Sequence, residues 1–198
     1  SVSLFFPKDI SSSRDIQVMA MDLPGERLVL FNGHWKSKRG GRTSELYRIQ
    51  TAKAIRNRIQ EYKKRSAVRT HFIVLGDLNT SYFEEPLQHL NVTGDETKML
   101  SGATDQLYNL WFELPEDSRW EYSYNGVRGA LSHIIVSDSL YNRQGLHYID
   151  QSFEVIGHKG IAKKVLMNVD GKPLRWQIMR RAGKSYHAGV GYSDHLPL

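Results

Sequence analysis

The chain contains no cysteine, which excludes disulfides and every thiolate metal site while leaving the compartment open. It has no apolar run near the ~20 residues that a membrane-crossing helix needs. Val2 to Phe6 is too short, and has no basic lead, to read as a signal peptide. Because residue 1 is serine and not methionine, a processed chain or a fragment is expected. No His-Glu-x-x-His pair occurs among the eight histidines, so a zinc hydrolase of that kind is excluded. Gly183-Lys184-Ser185 ends like a phosphate-cradling loop, but the place of the required earlier glycine is held by Ile178. Internal repeats, low-complexity tracts and linkers are also missing.

What is present fits one soluble domain over residues 1–198, with 40% hydrophobic and 24% charged residues. The formal charge is +6 and the pI about 9.5, a balance that favours a polyanionic partner. Its distribution matters more. Lys36, Lys38, Arg39 and Arg42 follow His34, and Lys172, Arg175, Arg180, Arg181 and Lys184 precede Asp194 and His195; either group suits phosphates flanking a scissile bond. The series Lys53, Arg56, Arg58, Lys63, Lys64, Arg65 lies on an expected helix and reads as its solvent face.

Asp15 to Met21 and Arg27 to Phe31 read as strands separated by the turn Leu23-Pro24-Gly25-Glu26. A long helix is expected from about Ser44 to Lys64, burying Ile49, Ala52, Ile55, Ile59 and Tyr62 as one stripe. Phe72 to Leu75 is a continuous apolar run, the pattern of a strand covered on both faces. Later strands are expected at Trp120 to Tyr124, His133 to Val136 and Phe153 to Ile156, and Asn168 to Pro173 reads as a surface turn. Helix followed by buried strand points to an α/β layered fold.

Three segments carry chemistry: Asn32-Gly33-His34 after one strand, Gly76-Asp77-Leu78-Asn79 after another, and Ser193-Asp194-His195-Leu196-Pro197 near the end. Residues two apart share a side of an extended chain, so Asp77 and Asn79 form one pair and Asn32 and His34 a second. Together they supply carboxylates, imidazoles and amides. Hard ions such as Mg²⁺ prefer oxygen ligands and need only one or two carboxylates beside a substrate phosphate. Imidazole titrates near ~6.5 and suits proton transfer or, charged, a phosphate contact.

In this order the segments, with Trp35-Lys36-Ser37-Lys38-Arg39-Gly40-Gly41 and Arg14-Asp15, resemble the endonuclease/exonuclease/phosphatase superfamily (the DNase I-like fold), in particular a bacterial nuclease-like branch. The resemblance covers nearly the whole chain. It implies a four-layer α/β sandwich, two packed mixed β-sheets flanked by helices, here expected to lack the family's N-terminal strands. It implies catalytic roles for His34, Asp77, Asn79 and His195, a metal-site role for Asp194, and Mg²⁺ (or Mn²⁺ or Ca²⁺) as cofactor. Asn32, Trp35, Lys36, Ser37 and Arg39 are the expected substrate contacts, with Trp35 the first choice among Trp35, Trp111, Trp120 and Trp176 for stacking on a base. A monomer acting on nucleic acid, DNA ahead of RNA, follows, and a secreted or periplasmic bacterial setting.

Two departures from the family stand out. Its metal-binding Glu belongs to strands ahead of this sequence, and Glu26, in a turn later in the order, does not replace it. Relatives also carry Asp at the position of Ser132, where it orients the catalytic histidine. Ser132 can orient an imidazole but cannot offset its charge, a loss of about four orders of magnitude in the serine-protease triad. Three readings follow: a divalent-metal phosphodiesterase, chiefly a nuclease; a hydrolase of small phosphoesters or phospholipid head groups, for which Leu4-Phe5-Phe6-Pro7 is the one short apolar segment; and a nucleic-acid-binding relic.

Overall fold

Alternating apolar residues build a mixed sheet in the computed structural model, which describes residues 2–5, 14–101, 105–175, 177–191 and 193–198. In chain order the strands are β1 (Val2–Phe5), β2 (Ile16–Leu23), β3 (Glu26–Gly33), β4 (Arg69–Asp77), β5 (Val92–Thr93), β6 (Leu107–Asn109), β7 (Tyr122–Tyr124), β8 (Val127–Gly129), β9 (Ser132–Ser137), β10 (Ile178–Arg181) and β11 (Lys184–His187). The helices are α1 (Gly41–Arg65), α2 (Glu85–His89), α3 (Glu96–Leu100), α4 (Asp138–Tyr141) and α5 (Gly160–Leu166). Among the described residues no helix is long and apolar enough to cross a membrane. The chain divides into two compact units, one of Ser1–Leu114 with Leu131–Phe153, the other of Pro115–Ala130 with Glu154–Leu198.

The first unit holds a seven-stranded sheet in the order β1-β2-β3-β4-β9-β6-β5. The β2–β3 hairpin turns at Pro24-Gly25, where Gly25 takes φ +76°, a conformation glycine adopts without a Cβ clash. Strands β3 and β4 are parallel and therefore need a crossover, which α1 supplies. Ala52, Ile55 and Ile59 of that helix are fully buried against Phe31, Phe72 and Val74, each large side chain contributing on the order of 1.5–3 kcal/mol. Tyr62 packs at the edge of this core. The helix begins earlier than expected, at Gly41, and its last turn carries Lys63, Lys64 and Arg65, which complement the dipole.

Phe72 and Val74 are buried, whereas Ile73 and Leu75, on the other face by alternation, are half-buried. One face of β4 is thus fully covered and the other in part. The described residues show one large sheet and no second large sheet. Asp105 neutralises part of the cationic face of α1: Lys63 and Gln60 donate to it at 2.7 and 2.8 Å, and Arg56 pairs with it as well, while Arg58 pairs with Glu61.

The second unit contains the hairpins β7–β8 and β10–β11, α5 and the C-terminal segment. Trp120 packs against His158 with ring centroids 4.5 Å apart and the rings tilted by 32°, and the Arg128 guanidinium lies over Trp120. Phe153 to Ile156 is not a strand. Gly157 follows at φ +119°, and one backbone bond, Ile156 N–H to Pro197 O, replaces a ladder. Asn168 to Pro173 does turn, closed by the Met167–Pro173 bridge. Trp176 and, of Leu4-Phe5-Phe6-Pro7, Phe6 and Pro7 lie outside the described residues.

Candidate active-site residues in the two units

In the first unit the ends of β3 and β4 are laced together. Gly76 takes φ +118° and a Cβ there would overlap the Gly33 carbonyl oxygen, so the close approach of the two strand ends requires glycine. Beyond it the chain leaves extended geometry, and Asn79 adopts φ +49°, a conformation Asn tolerates better than most residues. The Asp77 Oδ1 accepts the Asn79 amide at 2.9 Å, closing an Asx turn, while Oδ2 faces His34 Nε2 at 3.2 Å. A carboxylate only accepts, so in this pair His34 Nε2 bears a hydrogen. The Trp35 amide donates to Asp77 O at 2.8 Å and the Asn79 side-chain amide to Trp35 O at 3.2 Å. His34, Asp77 and Asn79 are thus brought together, with the His34 ring 56% exposed. Asn32 is exposed and reaches Gln17; its Oδ1 lies near Gly76.

The loop after Asn79 is held by two buried devices. His133 Nε2 donates to Thr80 O at 2.8 Å, and its Nδ1, 2.9 Å from Asn109 Nδ2, accepts from that amide, which settles the neutral tautomer. Glu84 accepts from Lys38 Nζ at 2.6 Å, from the Thr80 hydroxyl at 2.9 Å and from the Ser81 amide at 3.0 Å. Burial opposes the charge of Glu84, but the Lys38, Ser81 and Thr80 hydrogen bonds and the Lys38 charge outweigh it and hold the carboxyl below its usual range. The loop thereby presents Phe83, 69% exposed and edge-on to Tyr82.

The expected substrate contacts divide. Trp35 is 2% exposed and belongs to the core, so it offers no face to a base; the ring follows a strand end whose inward side is the α1 interface. Lys36 lies 5.9 Å over the Tyr47 ring, and its carbonyl accepts from buried Arg48. Ser37 caps the short 3₁₀ turn Lys38–Gly40 by accepting from the Arg39 amide. Arg39 is exposed without an ion-pair partner among the described residues. Lys38 is tied to Glu84, and Arg42 to Glu45 and Glu85.

In the second unit His195 packs on Tyr122 (centroids 4.8 Å) and its Nδ1 lies 2.9 Å from Glu121 Oε1. The Glu121 side chain is 0% exposed, and its carbonyl accepts the Leu196 amide at 2.8 Å. The buried carboxylate keeps the hydrogen on Nδ1, so the basic lone pair of a neutral ring resides on Nε2. Glu121 was not singled out from sequence; the available signal is an acidic residue between Trp120 and Tyr122 in an expected strand. Ser132, the position where an orienting carboxylate was expected, lies in the first unit, where it pairs across the sheet with Asp77. Asp194 Oδ2 accepts from Arg175 Nη2 at 2.9 Å.

A resident divalent ion finds no ready donor set here. Among the described residues no three Asp, Glu or His side chains form a metal-holding group. Asp194 is engaged by a guanidinium, both oxygens of Asp77 have partners, and Glu121 is committed to His195. Hydrogen-bonded carboxylates keep lone pairs that a hard ion can use, so what is missing among the described residues is the cluster of donors, not their chemistry.

The sequence profile of the Endonuclease/Exonuclease/phosphatase family matches residues 1–198. A search of curated proteins finds no relative. Among solved structures the chain is similar to a truncated TDP2 of Caenorhabditis elegans, at 13% identity and TM-score 0.54 over 81% of this chain and 58% of that one. A second C. elegans TDP2 structure matches at 13% identity and TM-score 0.50 over 69% and 40% of the two chains. A beta toxin variant of Staphylococcus aureus with bound magnesium ions matches at 16% identity and TM-score 0.47 over 91% and 55%. The likeness at TM-scores of 0.50 and above is one of fold, and the chain spans 40–58% of the length of these solved chains.

Proposed function

The chain belongs to the endonuclease/exonuclease/phosphatase family, and from that membership we propose that it hydrolyses phosphodiester bonds of nucleic acid. The observation that carries this reading is the His195–Glu121 pair, an imidazole with its basic nitrogen set at Nε2 by a buried carboxylate. Such a ring takes a proton from water, or returns one to a leaving oxygen, with Glu121 stabilising the imidazolium in between. Asp77 and Asn79 orient a water or a phosphate oxygen, and His34, held by Asp77, contacts the phosphate. Phe83 replaces Trp35 as the exposed aromatic face for a base. The four-layer sandwich remains the proposed architecture of the whole fold; the half-buried apolar positions Leu30, Ile73, Leu75 and Ile134 support a second layer against that face.

Cleavage of supercoiled plasmid tests the reading, with Mg²⁺, Mn²⁺ or Ca²⁺ added in turn and a chelator arm. His195→Ala is expected to abolish nicking. A wild-type chain that cuts under no condition, or a His195→Ala variant that cuts as well as wild type, refutes it. Cleavage of phospholipid head groups without cleavage of nucleic acid would favour the second substrate class, and binding without cleavage the relic.

A further inference from the structure

The cations grouped together in the sequence have different fates. Lys38, Arg42 and Arg175 are each neutralised by a carboxylate. Arg180, Arg181 and Lys184 are not: they sit on β10 and β11, every residue of which is exposed, and no ion pair involves them among the described residues. None of residues 177–191 is Asp or Glu. The two-residue turn between the strands, Ala182-Gly183, has both φ values positive, at +50° and +73°, the hairpin turn that matches strand twist. Its register sets Arg181 directly opposite Lys184. Like charges facing across a strand pair are destabilising. A small exposed ribbon has little packing to offset that cost; an external polyanion would relieve it.

We infer that the β10–β11 ribbon is a nucleic-acid-binding arm whose tip, Arg180, Arg181 and Lys184, grips backbone phosphates. Resting on the proposed nucleic-acid substrate, the inference names the element that holds it. A two-stranded ribbon fits the major groove of a duplex, and phosphate contacts position without reading sequence. The polarity of the ribbon selects nucleic acid over a lipid surface. The cations flank the turn, whereas the apolar Ile178, Met179 and Tyr186 lie toward the base, the reverse of a hairpin that dips its tip into hydrocarbon.

The test is binding of a fluorescein-labelled DNA duplex to the full chain in chelator, so that no turnover is needed, at 50–200 mM salt. Three phosphate contacts contribute about 2.7 to the slope of log affinity against log salt. Over that range the wild type should therefore lose about 40-fold more affinity than Arg180→Ala/Arg181→Ala/Lys184→Ala. Arg181→Glu separates binding from folding: it places opposite charges across the ribbon, so its melting temperature should hold or rise while duplex affinity falls. A slope change below about 1 in the triple variant, or Arg181→Glu binding like wild type, overturns the arm. So does ribbon-dependent capture of phosphatidylserine vesicles without duplex binding. Ribbon-dependent binding by a chain that never cleaves would leave the arm standing and refute the phosphodiesterase reading; cleavage with an unchanged salt slope would do the opposite.

Discussion

Replacing Glu121 by Gln removes a negative charge but almost no volume, which makes it a sharp probe of the His195 pair. At 2.9 Å two unit charges in an effective dielectric of 20 attract by about 6 kcal/mol. That figure applies only when the ring is charged, and water at the part-exposed His195 edge screens some of it. A carboxamide also presents either an oxygen or an NH₂ to Nδ1, so the tautomer with its lone pair on Nε2 is no longer enforced. General acid–base catalysis contributes about 10²–10⁴, and loss of the orienting carboxylate in the serine-protease triad costs about 10⁴. Glu121→Gln should accordingly lower kcat by about 10²–10⁴, or 3–5 kcal/mol, with KM little changed. The assay is steady-state hydrolysis of bis(p-nitrophenyl) phosphate beside a thermal melt. A folded Glu121→Gln protein whose kcat stays within about threefold of wild type would falsify the assignment. Glu121→Asp keeps the charge but shortens the reach, and should fall between the two.

Other consequences follow from the first unit. Gly76→Ala forces a Cβ into the Gly33 carbonyl at φ +118°; a loss of about 2–4 kcal/mol is expected, read as a melting temperature lower by roughly 5–12 °C. Ser132→Asp would set a second carboxylate directly opposite Asp77, so differential scanning calorimetry should show lower stability at pH 7, and phosphodiesterase activity should not rise. The depressed Glu84 carboxyl fixes a pH sign. Its folded value lies below its unfolded one, so its stabilisation is complete above the ordinary Glu range and is lost as pH falls through the folded value. Urea midpoints should therefore drop more steeply on acidification in wild type than in Glu84→Gln; parallel curves would remove Glu84 as the loop's anchor.

Much of this protein is legible without coordinates because it depends on local pattern. The stripe from Ile49 to Ile59 specifies α1, the run at Phe72 to Leu75 specifies β4, and Gly76 marks the strand end where Asp77 and His34 meet. The strand expected at Phe153 to Ile156 failed because an apolar run cannot show whether a ladder partner exists. Trp35 reads as a stacking residue by its neighbours in sequence, yet burial is decided by what packs behind a strand end. Glu121 and His195 are more than seventy residues apart, and no local signal joins them. The sequence by itself determined the family, the strand-end motifs and the excess of positive charge. Tertiary structure alone decided which carboxylate stands behind the imidazole and which cations are already neutralised, because both depend on long-range pairing through space that no spacing along the chain encodes.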